Sequence, residues 1–206
     1  MLNLFHAPGS CSLASHIALE EAGAAFTLTR VDFAAAEQRG AAYRAINPKA
    51  RVPALATDQG IITETPAILA YIAQTHPDAA LAPLDDPFAF AQVQAFNAYL
   101  CATVHVAHAH RMRGARWADD EATIAGIKRA VPRSVGAAFG LIESRLLAGP
   151  WVMGEAYSIC DPYLFTLAQW LEVDGVDLAA LPRVIDHRRR TGERPAVRRA
   201  LAAEAG

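Results

Sequence analysis

The 206 residues carry 19 basic and 21 acidic side chains, a net charge of −2 and a pI near 6.4, so no basic surface points to nucleic acid. Hydrophobic residues make up 53% and charged residues 19%, which excludes a disordered chain and leaves length for one large domain or two small ones. The partner class that remains is a small molecule or another protein. Cys11, Cys101 and Cys160 are widely spaced with no CxxC pair, which argues against a disulfide framework and for a reducing, cytoplasmic compartment. No signal peptide and no membrane-spanning apolar run are expected.

Leu2 to His6 alternates as a strand does, and Leu13 to Ala22 reads as an amphipathic helix. Pro8 and Gly9 make the turn between them. Ser10 is placed to cap the helix, which puts Cys11 in its first turn. There the helix dipole and free N–H groups favour a sulfur anion, on Cys11 itself or on a thiol ligand beside it. The same position also suits a small residue filling the strand–helix junction. Phe26 to Val31 reads as a second strand, giving a parallel βαβ unit. Ala34 to Ile46 reads as a weaker helix ending before Asn47-Pro48.

Val52-Pro53 precedes an apolar strand. A cis peptide there leaves the Val52 backbone open to a ligand, while an ordinary trans proline simply opens the strand. Ala54–Thr57 and Ile61–Thr63 form a hairpin about Asp58-Gln59-Gly60. Thr65 is placed as N-cap and Pro66 as N1 of a helix running to about Thr75. Such a terminus attracts a carboxylate, and Glu64 beside it can accept from an ammonium group. Together they suit the amino-acid end of a γ-glutamyl peptide; read plainly, they are a helix start beside a solvated charge.

Residues 79–86 read as a linker rich in breakers. Beyond it strand signals stop, and helices are expected over Pro87–Met112, Asp120–Leu147, Asp161–Val173, Leu181–Thr191 and Pro195–Ala203. Cys101, His105 and His108 share a helix face at i, i+4 and i+7. That spacing fits a metal site short of a further ligand, a packed core histidine, or a His105 that donates to a bound sulfur. His110, Arg111, Arg113 and Arg116 read as a solvated helix end, as do Arg188 to Arg190. Ser158-Ile159-Cys160-Asp161 fits a capping box that starts a buried helix.

The ordered set Pro8-Gly9-Ser10-Cys11-Ser12-Leu13-Ala14-Ser15-His16, Asn47-Pro48-Lys49, Val52-Pro53-Ala54-Leu55, Thr63-Glu64-Thr65 and Ser158 to Phe165 resembles a cytosolic glutathione transferase, most of all the bacterial beta class. The resemblance runs nearly the whole chain. It implies an α/β thioredoxin-like N-terminal domain (residues 1–78) that binds glutathione and an all-helical C-terminal domain (87–206) that lines the electrophile site. It also implies a homodimer, with glutathione as cosubstrate, no cofactor, no metal, and no nucleic-acid or membrane partner.

By that resemblance Cys11 is the cysteine beside the glutathione sulfur, and His105 is the histidine approaching it from the helical domain. Ser10, Arg51, Val52, Pro53, Glu64 and Thr65 form the glutathione site, with Val52 pairing with the tripeptide and Pro53 in cis. Tyr99, His108, Met112 and Trp170 are candidates for the electrophile pocket. Some positions depart from the pattern. Phe33 to Gln38 holds no lysine, Asn97 falls one place early, and Val106 stands where a lysine commonly follows the histidine. Arg51 is placed to restore positive charge near the glycine carboxylate. Phe5 and His6 stand where tyrosine-type members carry a hydroxyl. The implied reaction joins the glutathione thiolate to small hydrophobic electrophiles in detoxification. Two alternatives keep the fold: a thiol-disulfide transferase with Cys11 as nucleophile, and a non-catalytic carrier of hydrophobic ligands.

Overall fold

The computed structural model describes residues Met1–Ala205. Strands β1 (Leu2–His6), β2 (Phe26–Arg30), β3 (Ala54–Thr57) and β4 (Gly60–Thr63) form one sheet in the order β2-β1-β3-β4. β1 pairs with β2 in parallel, Leu4 opposite Leu28, and with β3 in antiparallel, Leu4 opposite Leu55. A crossover helix between β1 and β2 and a tight turn between β3 and β4 produce this mixed sheet. Helices α1 (Ser12–Glu21) and α3 (Thr65–Thr75) pack against each other under it. Leu4, Leu19, Leu55, Ile68, Leu69 and Ile72 are fully buried between these layers. Leu4 and Leu55 point to the helix side of the sheet and the others lie on the inner stripes of their helices, and removal of such side chains from water drives their packing.

The expected helix over 34–46 is broken. Asp32 Oδ1 accepts from the Ala34 and Ala35 amides at 2.8 and 3.1 Å, while Glu37 reaches back to the Asp32 amide at 2.8 Å. These side-chain bonds compete with helical ones. A short 3-10 turn (Glu37–Arg39) follows, then Gly40, and only α2 (Ala41–Ile46) is α-helical.

The rest is helical: α4 (Pro87–Tyr99), α5 (His105–Arg113), α6 (Glu121–Arg129), α7 (Val131–Leu141), α8 (Cys160–Ala168), α9 (Pro182–Gly192) and α10 (Pro195–Ala205). α4 and α5 are the single helix expected from Pro87, interrupted by a π-helical turn at Leu100–Val104. Such a one-residue insertion is common where a helix carries functional side chains. The helix expected to run to Val173 stops at Ala168, and turns follow to Gly175, where φ is +74°. At the start of α8 the capping box is realised from both sides. Ser158 Oγ accepts from the Cys160 amide at 3.3 Å, and Asp161 Oδ2 accepts from the Ser158 amide at 2.7 Å.

The helices are welded to the sheet. α1 packs on α8 and α10, and Leu13, Ile17, Phe165, Val197 and Ala200 form a buried cluster between them. Arg194 pairs with Glu21 at 2.5 and 2.7 Å, and Arg199 with Glu20 at 2.6 Å. Arg189 is solvated as expected, while Arg188 and Arg190 are partly buried, and all three are ion-paired. Arg188 makes a two-point pair with Glu172 at 2.7 and 2.8 Å, and Arg189 and Arg190 both bind Asp186. Among the described residues no helix is long and apolar enough to cross a membrane.

Candidate functional site

The turn from β1 into α1 is built on serine hydroxyls. Buried Ser12 Oγ accepts from the Ala7 amide at 3.1 Å and donates to the Ala7 carbonyl at 3.2 Å. Ser10 Oγ accepts from the Ser12 amide at 3.2 Å. Ser10 therefore caps the helix end, but α1 begins at Ser12 and Cys11 is its N-cap residue, not part of its first turn. The expected free amides are mostly taken. The Leu13 N–H bonds the Ser10 carbonyl and the Ala14 N–H bonds the Cys11 carbonyl. Of the first amides, only that of Cys11 has no acceptor among the described residues.

The expectation that Cys11 is itself a favoured thiolate is corrected. Burial pushes its pKa from 9.0 up to about 11, and outweighs the opposing pull of the Thr65 hydroxyl, the Arg113 charge and its own amide. The thiol donates to the Val52 carbonyl at 3.4 Å. With its thiolate scarce at neutral pH, Cys11 is a slow nucleophile toward a disulfide, because the thiolate is the attacking form. Cys101, on the π-helical turn, is likewise raised by burial.

Opposite Cys11 runs the edge of the loop before β3. The Val52-Pro53 peptide is cis. The loop is held by the Tyr43 hydroxyl and the Asn47 side-chain amide, each donating to the Arg51 carbonyl at 2.7 Å. The Val52 N–H has no acceptor among the described residues, so this edge retains an open donor. Beyond the hairpin, helix α3 starts one residue earlier than expected, with Glu64 as N-cap and Thr65 inside the helix. Glu64 adopts φ 75°, a region that side chains rarely occupy, costing about 1–3 kcal/mol. That conformation puts the exposed Glu64 carboxylate 2.5 Å from Lys49 Nζ, which also donates to Thr63 Oγ1 at 2.6 Å. Thr65 is buried beside Cys11.

From the helical side, His105 is half-buried at the first turn of α5. Burial holds its pKa down to about 4, helped by His108 and by the charges of Arg113, Arg51 and Arg116. It is a neutral imidazole at pH 7. His105, His108 and Trp170 form an aromatic group. His105 lies 5.3 Å from the indole, and His108 stacks on it at 4.1 Å. Trp170 Nε1 donates to the Gly9 carbonyl at 3.1 Å, bridging the helical part to the turn before Cys11. A hollow of about 280 Å³ lies on the other side of that turn, bounded by Pro8, Gly9 and Ser10, by Trp170 and by Leu201 and Glu204 of α10, with neither Cys11 nor His105 in its lining. A larger one, about 420 Å³, sits by the ion-paired arginines of α9, around Pro150, Arg183 and Arg190.

The proposed pocket residues divide. Trp170 and His108 come together near the Cys11 turn. Tyr99 does not join them: its hydroxyl donates to the Ala138 carbonyl at 3.0 Å and its ring packs on the helical core. Met112 is 70% exposed. Cys101, His105 and His108 make no metal site, since among the described residues no three His, Cys, Asp or Glu side chains converge to hold one. Lys49, Ser12 and Asp174 were missed as contributors. Lys49 was legible only as part of Asn-Pro-Lys, and Asp174 lies too far along the chain from His108 for spacing to connect them. Arg113 is not merely a solvated helix end, because its charge acts on both Cys11 and His105.

Residues 1–74 match the family described as glutathione S-transferase, N-terminal domain. The chain is 34% identical to glutathione S-transferase GstA of Escherichia coli O157:H7 over 206 residues, covering 98% of each chain. Among solved structures it is similar to a glutathione transferase homologue from Sulfitobacter with bound glutathione, at 45% identity, a TM-score of 0.95 and 98% of each chain covered. It is also similar to a bacterial beta class glutathione S-transferase from Sphingomonas chungbukensis, at 36% identity and a TM-score of 0.86, with 98% of each chain covered. A thiol-bearing strand–helix turn facing a cis-proline edge, agreeing with such relatives from end to end, means that this chain belongs to the glutathione S-transferase family.

Proposed function

We propose that the protein is a transferase that conjugates the thiol of glutathione, its cosubstrate, to small hydrophobic electrophiles. The observation that carries this reading is the open Val52 N–H on the cis-proline edge, set between the Cys11 turn and the Glu64–Thr65 corner. An extended tripeptide can pair with that edge as an added strand would. Its ammonium group suits Glu64, its γ-glutamyl carboxylate suits the N-terminus of α3 at Thr65, and its glycine carboxylate suits Arg51. Lys49, already on Glu64, tunes the charge at that corner. Residues 1–78 then act as the glutathione-binding unit, and 87–206 as the unit lining the electrophile site. We read the protein as a homodimer, for which Phe88, 73% exposed on α4, supplies apolar surface.

The chemistry follows from the neutral and protonated states of the groups present. The free Cys11 N–H and an N–H of neutral His105 are the donors that stabilise a glutathione thiolate without being deprotonated by it. Cys11 remains a thiol beside it, so the reacting sulfur belongs to the ligand. The thiolate attacks the electrophile on the helical side of the cleft, where His105, His108 and Trp170 are grouped. This arrangement favours conjugation over disulfide exchange through Cys11 and over a carrier role.

Titration calorimetry with glutathione, followed by conjugation of 1-chloro-2,4-dinitrobenzene, tests the reading. Glu64→Gln removes a charge-assisted partner of the ligand's ammonium group, about 1.5–3 kcal/mol, so Kd for glutathione rises tenfold or more. Absence of binding heat together with tight uptake of apolar dyes overturns the proposal in favour of the carrier.

A further inference from the structure

We propose that His108 is the proton donor that completes additions of glutathione to conjugated carbonyl electrophiles, with Asp174 and Trp170 as its positioning residues. This rests on the transferase reading and extends it to a substrate class. Substitution at a haloarene expels halide and needs no acid. Addition to an α,β-unsaturated ketone does: the sulfur bonds to the β-carbon, the π electrons move to form an enolate, and a proton must reach the α-carbon. The cleft therefore requires a proton source for the second class and not for the first.

His105 is a poor source, since it is already neutral at pH 7. The Cys11 thiol holds its proton to about pH 11 and spends it on the Val52 carbonyl. His108 is built differently. Its Nδ1 lies 2.7 and 2.9 Å from the two oxygens of Asp174, whose side chain is 1% exposed. A carboxylate on one ring nitrogen fixes the tautomer and the ring plane, and leaves the other nitrogen for exchange. Nε2 has no partner among the described residues and is not sealed from solvent. The ring is stacked on Trp170 at an interplanar angle of 23°, and Trp170 is bonded to Gly9, two residues from Cys11. Its centroid is 6.4 Å from that of His105, on the same helix face. Arg111 Nε, 3.3 Å from Asp174 Oδ1, completes the anchorage.

In the balanced step a proton carried on His108 Nε2 passes to the enolate's α-carbon. The ring regains a proton from solvent, which earlier received the proton of the glutathione thiol. The net reaction is glutathione plus enone giving the saturated thioether.

The test compares kcat/KM for trans-4-phenyl-3-buten-2-one and for 1-chloro-2,4-dinitrobenzene on the same preparation, so that partial loss of folded protein cancels in the ratio. In His108→Gln the addition-to-substitution ratio falls tenfold or more, within the range of general acid catalysis. Asp174→Asn lowers the same ratio, and the solvent deuterium isotope effect on wild-type addition is lost in His108→Gln. A ratio that falls less than tenfold in His108→Gln overturns the inference, as does a wild type that substitutes the haloarene but does not add to the enone. A wild type inactive with both electrophiles and silent with glutathione in calorimetry overturns the transferase reading and this inference with it.

Discussion

Alkylation of Cys11 by iodoacetamide gives the sharpest check on how the cleft handles sulfur. Burial raises the thiol from 9.0 to about 11, so at pH 7.5 its thiolate is about a hundredfold scarcer than that of an unperturbed cysteine. The thiolate that does form is more nucleophilic. With a Brønsted slope of about 0.4–0.5, two units return a factor of about six to ten. The net expectation is alkylation about tenfold slower than that of a free cysteine, before any limit on access. Quenched samples digested and read by mass spectrometry follow the Cys11 peptide alone. Its log rate should climb about one unit per pH unit from 7 to 10 and bend only near 11. The same shift carries a stability signature. The folded value lies above the unfolded one, so the contribution is complete below pH 9 and is lost as pH rises through 11. Urea unfolding should show a loss of roughly 2–3 kcal/mol over that window, absent in Cys11→Ala. A rate plateau at or below pH 8 would refute the reasoning and restore Cys11 as a disulfide-exchanging nucleophile.

Two further outcomes follow from buried carboxylates. Asp161 is fully buried and accepts from the Val152 and Ser158 amides, the Ser158 hydroxyl and His187 Nε2, at 2.7–3.2 Å. Asp161→Ala strands these donors and should cost about 3–5 kcal/mol in urea unfolding; a loss below 1 kcal/mol contradicts the account. Burial alone would raise the Glu204 pKa, but the His16 and His6 rings, 3.9 and 3.8 Å away, and a hydrogen bond from the Gly9 amide at 3.0 Å hold it down to about 2. The folded value is below the unfolded 4.5, so its stabilisation is present above pH 4.5 and is lost as pH falls toward 2. Glu204→Gln should therefore cost about 2–3 kcal/mol at pH 7, a smaller amount at about pH 3, and converge with wild type only below about pH 2; curves that stay parallel from pH 7 down to pH 2 would count against it.

Much of this architecture was legible in the residues. The alternation of Leu2–His6, the hairpin about Asp58-Gln59-Gly60 and the capping box at Ser158–Asp161 are local patterns, and each appears where local physics puts it. The boundary errors have local causes as well: Asp32 and Glu37 divert the chain before α2, and the π-helical turn interrupts the long helix at Leu100. The Asp186 pairs of Arg189 and Arg190 follow helical spacing within α9, whereas Glu172 and Pro150, the partners of Arg188 and Arg190, come from the segments flanking α8 and are set only by packing.

The order of residues alone was enough to mark the groups able to meet sulfur, because a cysteine after Pro-Gly-Ser and a histidine on the long helix are chemical identities with local context. Their protonation came from packing. Cys11 is a thiol and His105 is neutral because burial from several distant segments removes the water that would stabilise a charge, and no spacing along one segment reports that. Likewise Asp174 reaches His108 across 66 positions of chain, a contact made by packing rather than by any local rule.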